Sequence, residues 1–237
     1  MKPQQIKEVT IYGSNKWTDL KPLNLSRINF VNFPEDQYFS SQFDIYPKNQ
    51  IVIHHTVSGP GTRGDISTWL SSSQRIGTCV IIERDGNIDQ LFSSKFWAAH
   101  IGAGNSSLDQ HSIGIELDSW GQLTLDSQGR FRTVYGNAVD VPVVRYPNKF
   151  RDFEYFEAYT EAQLRSLGEL LLFWNRRYNI PLTYNQDMWD VSKRALSGVA
   201  GVWSHVSYRP YPQRRPKWDA HPDPNLISML RTIERLK

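Results

Sequence analysis

The nine residues IVIHHTVSG, Ile51 to Gly59, constrain the fold more than any other stretch of this chain. An apolar, β-branched run leads straight into two adjacent histidines, and GPGTRG then breaks it. That pattern predicts a buried strand spanning QIVIHHT. Side chains alternate across a strand, so His54 and His55 must face opposite ways. At most one of them joins a shared site.

Further elements build around this strand. SIGIELD (112–118) predicts a second strand, with Ile113, Ile115 and Leu117 on one face and Ser112, Gly114 and Glu116 on the other. CVIIERDGNIDQLF predicts a hairpin, its Asp85-Gly86 pair suiting a two-residue type I′ turn. TEAQLRSLGELLLFWNRRYNI predicts the strongest helix, opened by a Thr160/Gln163 capping box and ended by Pro181. DISTWLSSS predicts a short helix capped by Asp65, DPNLISMLRTIERLK a terminal helix capped by Asp223, and GVWSHV a short strand or extended turn. The expected class is α/β, a mixed central β-sheet flanked by helices. Residues 1–48, with FPEDQY as a turn, are expected as an N-terminal extension packed on the domain. Residues 49–237 form the domain itself. The polar, Gly/Pro-punctuated stretch at about 120–159 reads as an insertion with a small hairpin around GRFRTVYGNAVDVPVV.

Composition narrows the function. The 237 residues, 39% of them hydrophobic, suffice for one sizeable core. A net charge of +3, with Lys and Arg scattered apart from the loop-like RRPK at 214–217, is too weak to argue for nucleic acid. No apolar window reaches membrane-spanning length. MKPQQIKEVTIYG lacks the apolar core of a signal peptide, so synthesis in the cytoplasm is expected, with export by another route left open. The single cysteine, Cys79 in TCVII, reads as a small buried hydrophobe, and no disulfide framework exists. Eight tryptophans and eleven tyrosines suit either an aromatic core or a groove for sugars or peptides.

Six histidines remain to be explained, and several sit at the edges of strand-like runs. A catalytic zinc site needs three protein donors and an open fourth position. His54 and His205 offer two imidazoles, and the third donor is Asp219, His221 or Asp223 from KWDAHPDP. Glu116 could act as base beside them, with Gly114 leaving room on its face. HExxH and CxxC are both missing, so spacing alone leaves a zinc hydrolase and a protein with scattered histidines both open.

The ordered series IVIHHTVSG, RDGNIDQLF, WAAHIGAGN, SIGIELD, GVWSH and KWDAHPDP resembles the zinc-dependent N-acetylmuramoyl-L-alanine amidases, over about residues 50 to 230. These share a fold with peptidoglycan recognition proteins and phage amidase-type lysozymes. FPEDQY, RIGTCVIIERDG and KWDAHPDPNLISML are most similar to a subgroup in bacteria and their phages. The resemblance implies cleavage of the amide between N-acetylmuramic acid and L-alanine of the stem peptide. It implies one catalytic Zn²⁺ on His54, His205 and Asp219, with Glu116 as general base and Lys217 stabilising the oxyanion. His221 is the rival third ligand, because VSYRPYPQRRPKW makes the interval after His205 long; the Lys-x-Asp pattern favours Asp219. Thr78 stands where some relatives carry a tyrosine. His100, Trp97 and Asn105 are expected along the substrate groove. His55 is expected as a buried imidazole bonded to backbone, His111 at the surface, and Thr56 either orienting a ligand or packing in its strand. The expected partner is peptidoglycan or a muropeptide, with no nucleic acid and no membrane, bound by a monomer. A phage or prophage lysin released by a holin fits, as does a wall-recycling enzyme. The alternatives are a non-catalytic muropeptide-binding module, a zinc peptidase cutting within the stem, and a protein using zinc only for stability.

Overall fold

In the computed structural model, residues 9–209 and 217–236 are described. In chain order they form β1 (Ile28–Phe30), β2 (Gln50–His55), α1 (Arg63–Leu70), β3 (Val80–Ile82), β4 (Ile88–Gln90), α2 (Ser106–Gln110) and β5 (Ser112–Leu117). There follow β6 (Gln122–Leu125), β7 (Phe131–Thr133), β8 (Ala138–Val139), β9 (Val143–Phe150) and β10 (Phe153–Glu157). The chain ends with α3 (Glu161–Tyr178), α4 (Lys193–Leu196), β11 (Gly201–Ser204) and α5 (Pro224–Ile233). Residues 1–8, which include most of the stretch read for a signal peptide, and Arg214, Arg215 and Pro216 of RRPK lie outside the described residues.

Two sheets result. The central sheet has the order β1-β4-β3-β5-β2-β11. Its pairs are parallel except for the β3–β4 hairpin, so it is mixed. Strand β2 lies between β5 and β11 and is buried along its whole length. That is why its sequence is apolar on both faces rather than alternating. The capping box of α3 forms with both bonds, Gln163 N–H to Thr160 Oγ1 and Thr160 N–H to Gln163 Oε1, each 3.1 Å. Gln163 Nε2 then donates to the carbonyls of Ile82 and Asp118, seating the helix start on the ends of β3 and β5. Asp223 caps α5 by accepting from the N–H groups of Asn225 and Leu226.

Several expectations change. The β3–β4 turn is not a two-residue type I′ turn. Gly86 has φ 86° while Asp85 stays out of the left-handed region, and Glu83 N–H bonds the Asn87 carbonyl at 2.9 Å. Three residues therefore close the hairpin, with glycine in the left-handed position. A Cβ on Gly86 would lie 2.8 Å from the Ala162 carbonyl, so the turn packs directly on α3. Asp65 is not a helix cap, because α1 begins at Arg63 and Asp65 falls inside its first turn. The stretch at 120–159 holds more than a small hairpin. Strands β6 to β10 form an antiparallel sheet ordered β8-β7-β6-β10-β9, with its own core of Leu123, Phe131, Val143 and Tyr155. The segment before residue 49 supplies β1 as a parallel edge strand and buries Trp17, Leu20, Leu23, Phe33 and Tyr38 in the main core. Cys79 is buried and unpaired. No helix among the described residues is long and apolar enough to cross a membrane.

The two sheets meet at Arg84. Its guanidinium donates from Nε and Nη2 to both oxygens of Glu157, each at 2.9 Å, and from Nη2 to the Ser58 carbonyl at 3.2 Å. It also pairs with Asp118. Glu157 accepts further bonds from Trp120 N–H and Ser119 Oγ, and Asp118 accepts from Gly61 N–H. Both carboxylates are buried. Replacing Arg84 by Met strands them, which costs about 3–5 kcal/mol for a broken buried pair. The expected result is a urea midpoint lowered accordingly; an unchanged midpoint would show the network to be dispensable.

Candidate metal centre and its cleft

Sheet register assembles the candidate site. In the parallel pairing of β2 with β5, His54 stands opposite Glu116. On the other flank Ser204 pairs with Ile53, so His205 follows at the C-terminal end of β11. Backbone bonding of Val206 N–H to the Asp219 carbonyl, 2.9 Å, brings the last member alongside. His54, His205 and Asp219 then offer three buried donor atoms within 4.8 Å of one another. Of the three candidates for the third position, Asp219 alone meets the two imidazoles. His221 lies on the opposite side with His55, its Nδ1 2.8 Å from the Tyr146 hydroxyl and its ring stacked on Phe156. Asp223 is occupied as the cap of α5.

The hydrogen bonds around the trio indicate what it suits. His205 Nε2 is 2.8 Å from the Ile101 carbonyl, which can only accept. A neutral His205 therefore carries its proton on Nε2 and turns the Nδ1 lone pair inward. That lone pair lies 2.8 Å from Asp219 Oδ2 and 2.8 Å from His54 Nδ1. Acceptors as close as the His205 lone pair and Asp219 Oδ2 need a proton or a cation between them. Two imidazole nitrogens and a carboxylate oxygen are a donor set that suits zinc. His54 is held from its outer side by another imidazole, its Nε2 3.0 Å from His100 Nδ1.

The cleft over this trio has a volume of about 170 Å³ and is also lined by Thr56, Thr78, His100, Glu116 and Lys217. Burial pushes the His54 imidazole down to about 3, reinforced by His205, so its ring is held neutral. Burial likewise brings His100 to about 3. Burial raises the Glu116 carboxyl well above the usual range, with Asp219 and Asp65 adding to the effect. Burial would raise Asp219 too, but His205 and Lys217 outweigh it and hold that carboxyl well below the usual range.

Other expected residues go elsewhere. His100 reaches the cleft but is fixed from behind by Ser112 Oγ at 2.9 Å, while its backbone N–H bonds Asp109. Trp97 stacks on Phe39 with ring centroids 3.8 Å apart and does not line the cleft. Asn105 caps α2 and faces a separate hollow beside Asn49 and His111. His55 bonds the Tyr159 hydroxyl at 2.9 Å rather than backbone. His111 is half-buried, its Nδ1 2.8 Å from the Ser107 carbonyl. Thr56 binds back to the Ser119 carbonyl and so braces the strand end.

A second cavity of about 300 Å³ adjoins the first through Thr56, Val57, Trp69 and Glu116. Asp65, Trp120 and Tyr135 line it, and the sequence did not point to them. Asp65 sits at a position that reads as a helix cap, and the tryptophan and tyrosine lie in a segment that reads as polar loop.

The family model described as N-acetylmuramoyl-L-alanine amidase matches residues 45–225. No curated protein sequence matches the chain. Among solved structures, the chain is similar to the endolysin N-acetylmuramoyl-L-alanine amidase LysCS from Clostridium intestinale URNW, at 18% identity over 83% of this chain and 88% of that one, with a TM-score of 0.45. It is similar to a selenomethionine derivative of AmpD, at 18% identity over 88% and 95% of the two chains, with a TM-score of 0.49. It is also similar to AmiD from E. coli, solved with the substrate anhydro-N-acetylmuramic acid-L-Ala-D-gamma-Glu-L-Lys. There the identity is 21% over 60% of this chain and 49% of that one, and the TM-score is 0.39.

Two outcomes are expected from this geometry. Asp219→Ala should drop bound zinc from equimolar to background by elemental analysis, whereas His221→Ala should retain it; the reverse pattern would reassign the third ligand. Asp65 is held at about 7 by burial, against 3.8 for the free side chain. The folded protein therefore keeps this proton between those values, and stability falls as pH rises through that window. Relative to Asp65→Asn, the wild type should lose roughly 2–4 kcal/mol between pH 4 and pH 7 in denaturant titrations. A constant difference across that range would refute the assignment.

Proposed function

The chain belongs to the N-acetylmuramoyl-L-alanine amidase family, and from that premise we propose that it is a zinc-dependent peptidoglycan hydrolase. Its reaction is cleavage of the amide between N-acetylmuramic acid and L-alanine of the stem peptide. The observation that carries the reading is the convergence of His54, His205 and Asp219 beside Glu116, which faces His54 across the β2–β5 pair.

The imidazoles of His54 and His205 and the Asp219 carboxylate would hold the zinc ion with a net positive charge remaining. When bound, the ion supplies Lewis acidity toward a carbonyl oxygen and toward water. Glu116 takes the proton of the attacking water and returns a proton to the departing amine. Its burial supports this role, since a base with raised proton affinity can carry the proton through the reaction. Lys217 lines the same cleft and places its positive charge where the oxyanion develops. His100 holds the outer nitrogen of His54 and acts by positioning it.

Peptidoglycan or a muropeptide is the partner, met by a monomer whose residues 49–237 form the catalytic domain. The stretch at about 120–159 is an insertion into that domain, and residues 1–48 pack against it. FPEDQY and KWDAHPDPNLISML support placing the protein with phage or prophage lysins that reach the wall after holin-type release.

Zinc-loaded protein should release peptides beginning with L-alanine from purified walls and leave the glycan intact by mass spectrometry. New amines within the stem, or clearing that survives chelation, would overturn the proposal. Glu116→Gln and Lys217→Ala should each lower turnover by roughly 10²–10³ while bound zinc stays equimolar.

A further inference from the structure

The segment that completes the metal trio is held from outside by one side chain of the insertion. His205 follows β11 directly, and Asp219 returns to it only after VSYRPYPQRRPKW. The two ends of that loop meet in the bond from Val206 N–H to the Asp219 carbonyl. Closing a longer loop costs more conformational entropy, so an interval of this length favours a tie across its neck.

Arg151 supplies such a tie. Its Nη1 donates to the carbonyl of Arg209, at 3.1 Å, and to that of Lys217. Its Nη2 donates to the Val206 carbonyl at 3.1 Å and to Asp190 Oδ1 at 3.4 Å. Val206 and Arg209 belong to the outgoing limb of the loop and Lys217 to the returning one. The Arg151 side chain is 6% exposed whereas that of Asp190 is 86% exposed, so the inner partners of the guanidinium are main-chain carbonyls. The Arg151 carbonyl in turn accepts from Trp218 Nε1 at 3.1 Å, and Phe153 meets the Trp218 ring edge-on. Trp218 lies between Lys217 and Asp219, so the hairpin grips the residue that joins them.

The turn that carries Arg151 is strained. Arg151 and Asp152 link β9 to β10, Phe150 pairs with Phe153, and the two turn residues have φ of 45° and 74°. A two-residue hairpin turn with both positions at positive φ favours Asn-Gly, because most other residues clash in the left-handed region. Asn at 151 would close the same hairpin with less strain, but it could not reach the three carbonyls. Strain retained at such a position points to a use for the side chain.

Building on the amidase reading, we propose that Arg151 is a positioning residue for the reaction. It staples the two limbs of the loop after His205, and so fixes Asp219 against the imidazoles and Lys217 at the cleft. The insertion thereby shapes the metal centre without touching it.

The test is the rate at which the zinc-loaded full-length protein yields its ion to a chromophoric chelator, with kcat and KM on a soluble muropeptide read alongside. Arg151→Ala should release zinc about tenfold faster and lose about tenfold in kcat, with KM changed less than about twofold. Arg151→Lys should behave as Arg151→Ala does, because an ammonium keeps the charge but lacks the planar fork. It is also the variant to read if Arg151→Ala does not fold. Added methylguanidinium should slow zinc release from Arg151→Ala, and ethylammonium should not. Asp190→Asn should match the wild type. The proposal is overturned if Arg151→Lys releases zinc at the wild-type rate, or if both Arg151 variants lower only the urea midpoint. It is equally overturned if the two added cations act alike, or if Asp190→Asn reproduces the loss. Failure of the amidase reading shows separately, in a wild type that releases no L-alanine-terminated peptide from walls.

Discussion

The bidentate pairing of Arg84 with Glu157 is the contact on which the rest of the molecule depends. It joins the hairpin of the central sheet to the last strand of the second sheet. The same guanidinium reaches the Ser58 carbonyl and Asp118, and Asp118 in turn takes Gly61 N–H. The loop after β2 and the backbone at Trp120 are thereby fixed together. A buried ion pair of this kind is a weak source of stability compared with apolar packing of the same volume. What it provides is placement. The walls of both cavities are set by segments that this one side chain ties in register.

Much of this fold could be read from the sequence where one physical signal acted alone. β-branched runs marked β2 and β5, and reciprocal capping marked the start of α3. Alternation along β2 separated His54 from His55 correctly, because that strand is central and buried. The reading weakened where two explanations shared one residue type. Asp65 looks like a cap because aspartate before an apolar run often is one, yet the helix starts earlier and turns it inward. The strands of the second sheet are short and partly exposed, so their polar faces resemble loop. Trp97 and Asn105 sit close in sequence to His100, but one is buried against Phe39 and the other caps a helix.

The candidate site lay beyond local pattern altogether. His54 and His205 are brought together by the parallel pairing of β2 with β11, the Val206–Asp219 backbone bond adds Asp219, and no short spacing records such a closure. Only the ordered series of motifs pointed to the same trio. Within the cleft, environment then divides two carboxyls of like chemistry. Asp219 sits among His205, His54 and Lys217 and stays ionised, while Glu116 sits where burial dominates and holds its proton more tightly. Groups pushed apart in this way suit the different chemical parts that the amidase reading proposes for them, one as ligand and one as proton carrier.

The alternation of His54 and His55 has a consequence for how the protein reaches its working form. Shifting β2 by a single residue between β5 and β11 would exchange the two imidazoles. His55 would then face the cleft, and His54 would point toward Tyr159 and the rings beneath it. Every side chain of the strand would change sides with them. A near-native sheet with that error would keep its backbone hydrogen bonds yet have no place for a metal ion. On the zinc reading, the trio would thus serve as a checksum on strand register, since a molecule able to hold the ion would, by that fact, have folded in the right frame.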